Sequence, residues 1–209
     1  MKKKIKLGDI IDTLDTPSIE DWILLALYLS PNKRMKSELY LQKALFIASH
    51  HLERLKEVLE FKPYRLGPYS EILKEKLEIL ENNNSIIIDK KRGLLLTEKG
   101  EKRAEDRKTM FLEEEMKYLN SISDFVNALS EDELLLFTYV IYKAYEKSDV
   151  FNTLLRRRKD IAIKMLRKGV ISTSLAAKLA GLTLLEFIKL LKQKDIKPYR
   201  ADENDLKPV

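Results

Sequence analysis

The chain contains no cysteine, which removes disulfides, thiolate metal sites, iron–sulfur ligation and a Cys nucleophile together. Histidine is almost absent as well: His50 and His51 are the two in the chain. As neighbours on a helix they point to different faces, and no serine or carboxylate is placed around them by spacing, so surface helix positions are the default. Glycine is scarce, and no Gly-rich loop could cradle a phosphate. The run Glu113-Glu114-Glu115 reads as a solvated helix face rather than paired catalytic carboxylates. These shortages point away from an enzyme, a metal site and a bound cofactor. The longest apolar stretches, 22–29 and 134–141, fall well below the roughly 18–20 residues that span a bilayer. The lysine-rich start is followed by three aspartates between Gly8 and Asp15 and no small-residue cleavage site, so neither a membrane span nor a signal peptide is expected. The expectation is a cytoplasmic protein.

What remains is ample for folding. At 209 residues, 44% hydrophobic and 34% charged, the chain can bury one large core or two small ones. Its formal charge of +6 is unevenly spread. Residues 151–209 carry 14 basic and six acidic side chains, a net +8, whereas residues 9–150 carry 21 basic and 27 acidic ones, a net −6. The other four lysines, Lys2, Lys3, Lys4 and Lys6, form a terminal tag. Such a split usually separates a polyanion-facing part from one that is not.

Helical spacing predicts a first helix from Ser18, with a capping box to Asp21, to Leu29. A second runs from about Ser37 through Leu41, Leu45, Ala48 and Leu52. An extended segment, 61–69, then leads into a third helix that Pro68 opens and that buries Ile72, Leu73, Leu77 and Leu80. Two short strands, 86–88 and 94–96, follow as a β-hairpin. This order is that of a winged helix. Thr97 caps a long charged helix to about Leu119, and helices 121–129 and 130–147 complete a connector. The basic part begins near Ser148 with a helix to Lys168 that ends at Gly169. The expected organisation is a winged-helix domain at 9–100, a helical connector at 101–147 and a basic domain at 148–209.

The sharpest local signal lies in that last part. A helix-turn-helix needs small residues where its helices cross, a glycine where the turn requires positive φ, and apolar residues beyond it. Ala176, Ala177, Ala180, Gly181, Leu182, Phe187 and Leu190 occupy those places. Thr183 caps the second helix, which would present Thr183, Lys189, Lys192 and Gln193 to a major groove, with Lys178 beside them. The plainer alternative is a helical hairpin with a glycine C-cap. Arg156, Arg157, Arg158 and Lys159 wrap one turn, either as a phosphate clamp or as a solvated face. Lys90, Lys91 and Arg92 sit at the wing tip, as a DNA contact or simply as a polar turn. The last helix is apolar over more than half its circumference, so part of that surface is expected to meet another subunit or the N-terminal part, with Leu184, Phe187, Ile188 and Leu191 as the partner-binding residues. The third helix exposes Ser70, Glu71, Lys74, Glu75 and Glu78, a poor surface for phosphate.

Two resemblances bear on these residues. Residues 157–206 resemble Uncharacterised Protein Family 0175, small prokaryotic proteins regarded as antitoxin-like. The likeness rests on Ala162 and Leu166, Arg167-Lys168-Gly169, Ile171-Ser172, 176–182, Glu186-Phe187, Leu190-Leu191, Ile196 and Asp205-Leu206. The chain departs from that family in having Met165-Leu166 where a tyrosine is usual and in lacking an acidic tail extension. The resemblance implies a helix-turn-helix and a toxin-like protein partner. Residues 39–100 look like the winged-helix domains of phage-associated and Panacea-type antitoxin proteins, through 41–46, Phe61 to Ser70 and 96–100. Together the residues predict a mainly α fold: a winged helix-turn-helix with one small β-hairpin, a helical connector and a C-terminal helix-turn-helix. The expected function is a homodimeric transcriptional regulator on double-stranded DNA. The competing expectation is an antitoxin-type module that neutralises a partner protein without reading DNA.

Overall fold

The computed structural model describes residues 16–196. Lys2, Lys3, Lys4 and Lys6 of the tag, Lys197, Arg200 and Lys207 of the basic part, and the closing Asp205-Leu206 lie outside the described residues. The fold is mainly helical with a small antiparallel sheet. Among the described residues no helix is long and apolar enough to cross a membrane.

The chain divides into two compact units. One comprises the N-terminal part through Glu60 together with Ser70–Ser123. The other comprises Phe61–Tyr69 and the chain from Asp124 onward. These units are drawn by packing, whereas the boundary near 148 is read from charge and that at 100 from the order of the predicted elements. Charge marks what faces water, whereas compact units are set by which apolar faces bury one another.

The first unit contains α1 (Ile19–Leu29), β1 (Arg34–Met35), α2 (Glu38–Ser49), α3 (Glu53–Val58), α4 (Glu71–Asn82), β4 (Ile86–Asp89), β5 (Gly93–Leu96) and α5 (Glu98–Arg107), and it receives most of α6 (Glu113–Ala128). Ser18 makes the expected capping box with Asp21, and α1 is almost wholly buried, Trp22 to Leu27 lying at 0–1% exposure. The Trp22 ring meets Phe111 edge-on at 4.7 Å. β1 pairs with β5 and β5 with β4, all antiparallel. The two-residue β1 has no alternating pattern long enough to be read from sequence. Gln42 joins α2 to the start of α4: its Nε2 donates to the Ser70 carbonyl at 3.0 Å and its Oε1 accepts from the Ser70 N–H at 2.9 Å.

Four sequence expectations change here. Pro68 does not open the third helix; it is buried in β3 (Gly67–Tyr69), and Ser70 is the N-cap of α4. Ile72 is 41% exposed, while Leu73, Leu77 and Leu80 are buried as expected. The long helix from Glu98 to Leu119 is two helices. The chain turns at Phe111 and Leu112, where Phe111 enters the core and Glu115 restarts the helix by accepting the Leu112 N–H at 2.8 Å and Arg54 at 3.0 Å. The helix expected at 121–129 is the continuation of α6.

The second unit holds β2 (Lys62–Tyr64) with β3, then α7 (Glu131–Tyr142), α8 (Phe151–Arg167), α9 (Thr173–Ala180) and α10 (Leu184–Gln193). The extended segment 61–69 is a two-stranded hairpin, with Lys62 opposite Tyr69 and Tyr64 opposite Gly67. Two of the basic residues are used in holding α8 to α7. Arg157 pairs with Asp132 at 2.9 Å, and Lys168 donates to the buried Glu133 at 2.6 Å. Glu133 also accepts the Ser130 N–H, closing the α7 capping box. Against the effect of burial, these donors hold its carboxyl below the usual carboxylate value.

Candidate nucleic-acid interface

The helix-turn-helix candidate is built by α9, a three-residue turn and α10. Ser172 caps α9 by accepting the Leu175 N–H. Leu175, Ala176 and Ala177 follow, the two alanines buried at 0% and 2%, small enough for a neighbouring helix to approach closely. Gly181 ends the helix with φ 69° and ψ 34°, the left-handed cap that side chains resist. The Leu182 N–H reaches back to the Ala177 carbonyl at 3.0 Å. Thr183 then starts α10 with a full capping box: its hydroxyl receives the Glu186 N–H at 3.3 Å, and its own N–H and hydroxyl donate to Glu186 Oε2 at 2.8 and 2.7 Å.

Arg158 completes this turn in a way the local sequence does not announce. Its Nε donates to the Leu179 carbonyl at 2.6 Å and Nη2 to the Lys178 carbonyl at 3.1 Å. Those carbonyls belong to the last turn of α9, where a helix runs short of its own N–H donors; the Lys178 carbonyl also accepts the Gly181 N–H at 3.1 Å. The guanidinium lies over Gly181, where an added Cβ would come within 2.4 Å of Nη1. Arg158, expected in a phosphate clamp, is thus engaged in holding the turn through Nε and Nη2. Gly181→Ala is expected to cost about 1–2 kcal/mol, from the left-handed backbone and the displaced guanidinium, as a lowered midpoint in urea denaturation.

The rest of the four-residue basic run also separates. Arg156 is exposed and donates to Thr153 at 3.1 Å. Arg157 is the partner of Asp132. Lys159 is exposed and lies close enough to Glu186 to act on its charge, as does Lys189 of α10. The Glu186 carboxyl is held below its usual value first by the Thr183 hydroxyl and N–H, then by these two lysines. Lys159 and Lys189 therefore converge on the start of α10, although they are thirty positions apart. Lys178, Lys192 and Gln193 are exposed beside them. Thr183 is exposed too, but its hydroxyl is committed to the cap.

The proposed partner-binding face splits in two. Phe187 and Leu191 are fully buried, at 0% exposure, inside their own unit; they build the core beneath α10 and cannot meet a partner. Leu184 is 46% exposed and Ile188 is half-buried. Leu185, which the sequence reading left out of that face, is the most exposed large apolar residue among the described residues, at 73%. Nothing in the composition of the helix distinguishes these leucines; only the direction of the core does.

The wing-tip residues belong to the first unit. Lys90, Lys91 and Arg92 are all exposed in the turn between β4 and β5. Asp89 orders that turn, its Oδ1 accepting the N–H groups of Arg92 at 2.6 Å and Lys91 at 2.8 Å. These two bonds, helped by the Arg92 charge, hold the Asp89 carboxyl below its usual value. On α4 Glu71, Lys74, Glu75 and Glu78 are exposed as expected, joined by Glu81, whereas Ser70 is buried at 2% exposure.

No curated protein and no solved structure matches the chain. Residues 152–208 match the model of an uncharacterised protein family, UPF0175, a stretch that contains nearly all of α8, the whole of α9 and α10 and the turn that Arg158 braces.

Proposed function

We propose that the protein is a cytoplasmic, non-enzymatic DNA-binding regulator of antitoxin type that works as a homodimer and reads duplex DNA through α9 and α10. The observation that carries this reading is the turn itself: a left-handed glycine cap, a Thr183 capping box and an arginine brace that hold α9 and α10 with Lys178 of the first and Lys189, Lys192 and Gln193 of the second in solvent. Lys159 and Arg156 would add phosphate contacts from α8. In the first unit, the succession α1, β1, α2, α3, α4, β4, β5 and the strand order β1-β5-β4 support a winged-helix reading. The acidic face of α4 makes that unit a poor phosphate grip apart from its tip, Lys90, Lys91 and Arg92.

Binding of the full chain to a mixed-sequence duplex, followed by anisotropy across salt concentrations, tests the proposal. The logarithm of the affinity should fall linearly with that of salt, by about 0.9 for each phosphate neutralised. Reversing charge at Lys189 and Lys192 together should weaken binding at least about tenfold. Affinity indifferent to salt, or no binding at low salt, would sink the DNA reading.

The exposed Leu184 and Leu185 favour a second reading, docking of a toxin-like partner protein on α10. There Leu185→Asp abolishes a stoichiometric complex while the two lysine reversals leave it intact. Phe187→Asp cannot serve in this test, because it would break the core.

A further inference from the structure

The acidic helix α4 has no part in the reading above, yet one of its faces is apolar as well as acidic. Ile72 and Ile79 are 41% and 45% exposed. They lie two turns apart on a stripe that Glu75 and Lys76 complete, each one turn from both isoleucines. Glu71 and Glu78 flank Glu75 along the edge of the stripe. Among the described residues the carboxylates of Glu71, Glu75 and Glu78 make no hydrogen bond or ion pair. Lys76 is already answered, donating to Glu20 of α1 at 3.0 Å. Lys74, exposed beside Glu71 and Glu78, offsets one of the three acids and leaves the face negative. Such a face fits an occupant that is apolar and cationic at once.

The chain supplies one. Residues 2–7, outside the described residues, consist of Lys2, Lys3, Lys4, Ile5, Lys6 and Leu7, four cations and two large apolar side chains with no acid among them. Thr16, the first described residue, stands two positions before the Ser18 cap of α1. Glu20, in the first turn of that helix, is the residue that Lys76 of the stripe touches. The nine steps from Leu7 to Thr16 reach at most about 30 Å, whereas the stripe from Ile72 to Ile79 is about 10 Å long. Attachment within that reach makes docking intramolecular, which favours it over the same contact from a free molecule.

We propose that residues 2–7 dock on this face of α4 within the same chain, Ile5 and Leu7 covering Ile72 and Ile79 and the lysines answering Glu71, Glu75 and Glu78. The inference does not rest on the DNA-binding reading. A polybasic segment binds phosphate without regard to sequence; docked on α4, its charge is withdrawn from nucleic acid.

Because the chain has no cysteine, single pairs can be introduced into the full chain and closed by mild oxidation. Leu7→Cys with Ile79→Cys should form an intrachain disulfide at least about tenfold faster than Leu7→Cys with Lys74→Cys, which is on the same helix but off the stripe. Adding Glu75→Lys and Glu78→Lys, or raising salt to about 1 M, should slow the first pair toward the second. The α4 positions are exposed, so the variants should keep the wild-type melting midpoint before oxidation. Equal rates for the two pairs, unmoved by the charge reversals, would overturn the proposal. Disulfide-linked dimers in place of closed monomers would overturn it too, making a second copy the occupant.

Discussion

Phe187→Ala is expected to destabilise the second unit by about 3–5 kcal/mol, the usual cost of removing a fully buried phenyl ring and leaving a cavity. The ring has 0% exposure and sits one turn into α10, beneath the cap that Thr183 and Glu186 form. Its loss removes the main apolar anchor of the helix while leaving the exposed lysines untouched. Leu185→Ala, two positions earlier and 73% exposed, should change stability by no more than about 0.5 kcal/mol. Urea denaturation followed by circular dichroism measures both. Comparable losses at the two positions would contradict the packing described for α10. The contrast also decides which variants can probe a partner: those at Leu185 and Leu184, not those at Phe187 and Leu191.

Lys43→Met should make the first unit more stable at neutral pH, by about 2 kcal/mol, and should flatten the alkaline dependence of stability. Lys43 lies on α2 at 1% exposure, and burial pushes its amine down from 10.5 to about 7. The sign follows from proton counting. Below about pH 7 the amine is charged in both the folded and the unfolded chain, so the cost of burying the charge is fully present and independent of pH. Between about 7 and 10.5 the unfolded chain binds a proton that the folded one does not, so stability rises with pH. From this group the rise is at most about 1.4 kcal/mol per pH unit. Subtracting the variant from the wild type cancels the other titrating groups. A difference that stays flat from pH 6 to pH 10 would refute the assignment of a neutral buried amine.

The local signals in the chain were legible wherever a few neighbouring residues decide the backbone. Ser18 with Asp21, Thr97 and Thr183 cap helices where the sequence places them. Gly181 takes the left-handed conformation that the helix-turn-helix pattern requires. Two kinds of error arose. Where a helical pattern runs on unbroken, as from Glu98 to Leu119, periodicity cannot register a break made by Phe111 turning into the Trp22 core. Where a run of one charge looks like a single surface, as at Arg156 to Lys159, its members are dispersed by partners far away in the chain: Asp132 for Arg157, and the Leu179 carbonyl for Arg158.

The sequence by itself determined the helical class of this protein, the caps and turn of the helix-turn-helix candidate, and the concentration of positive charge in its last part, because each depends on residues a few positions apart. Only the tertiary structure decided that Phe187 is core while Leu185 is surface, that Arg158 braces a turn, that Lys159 and Lys189 converge, and that the hairpin 62–69 belongs with the C-terminal helices. Each of those outcomes depends on which direction the apolar core lies from a given residue. That direction is set by the burial of surfaces from distant segments, on which local spacing carries no information.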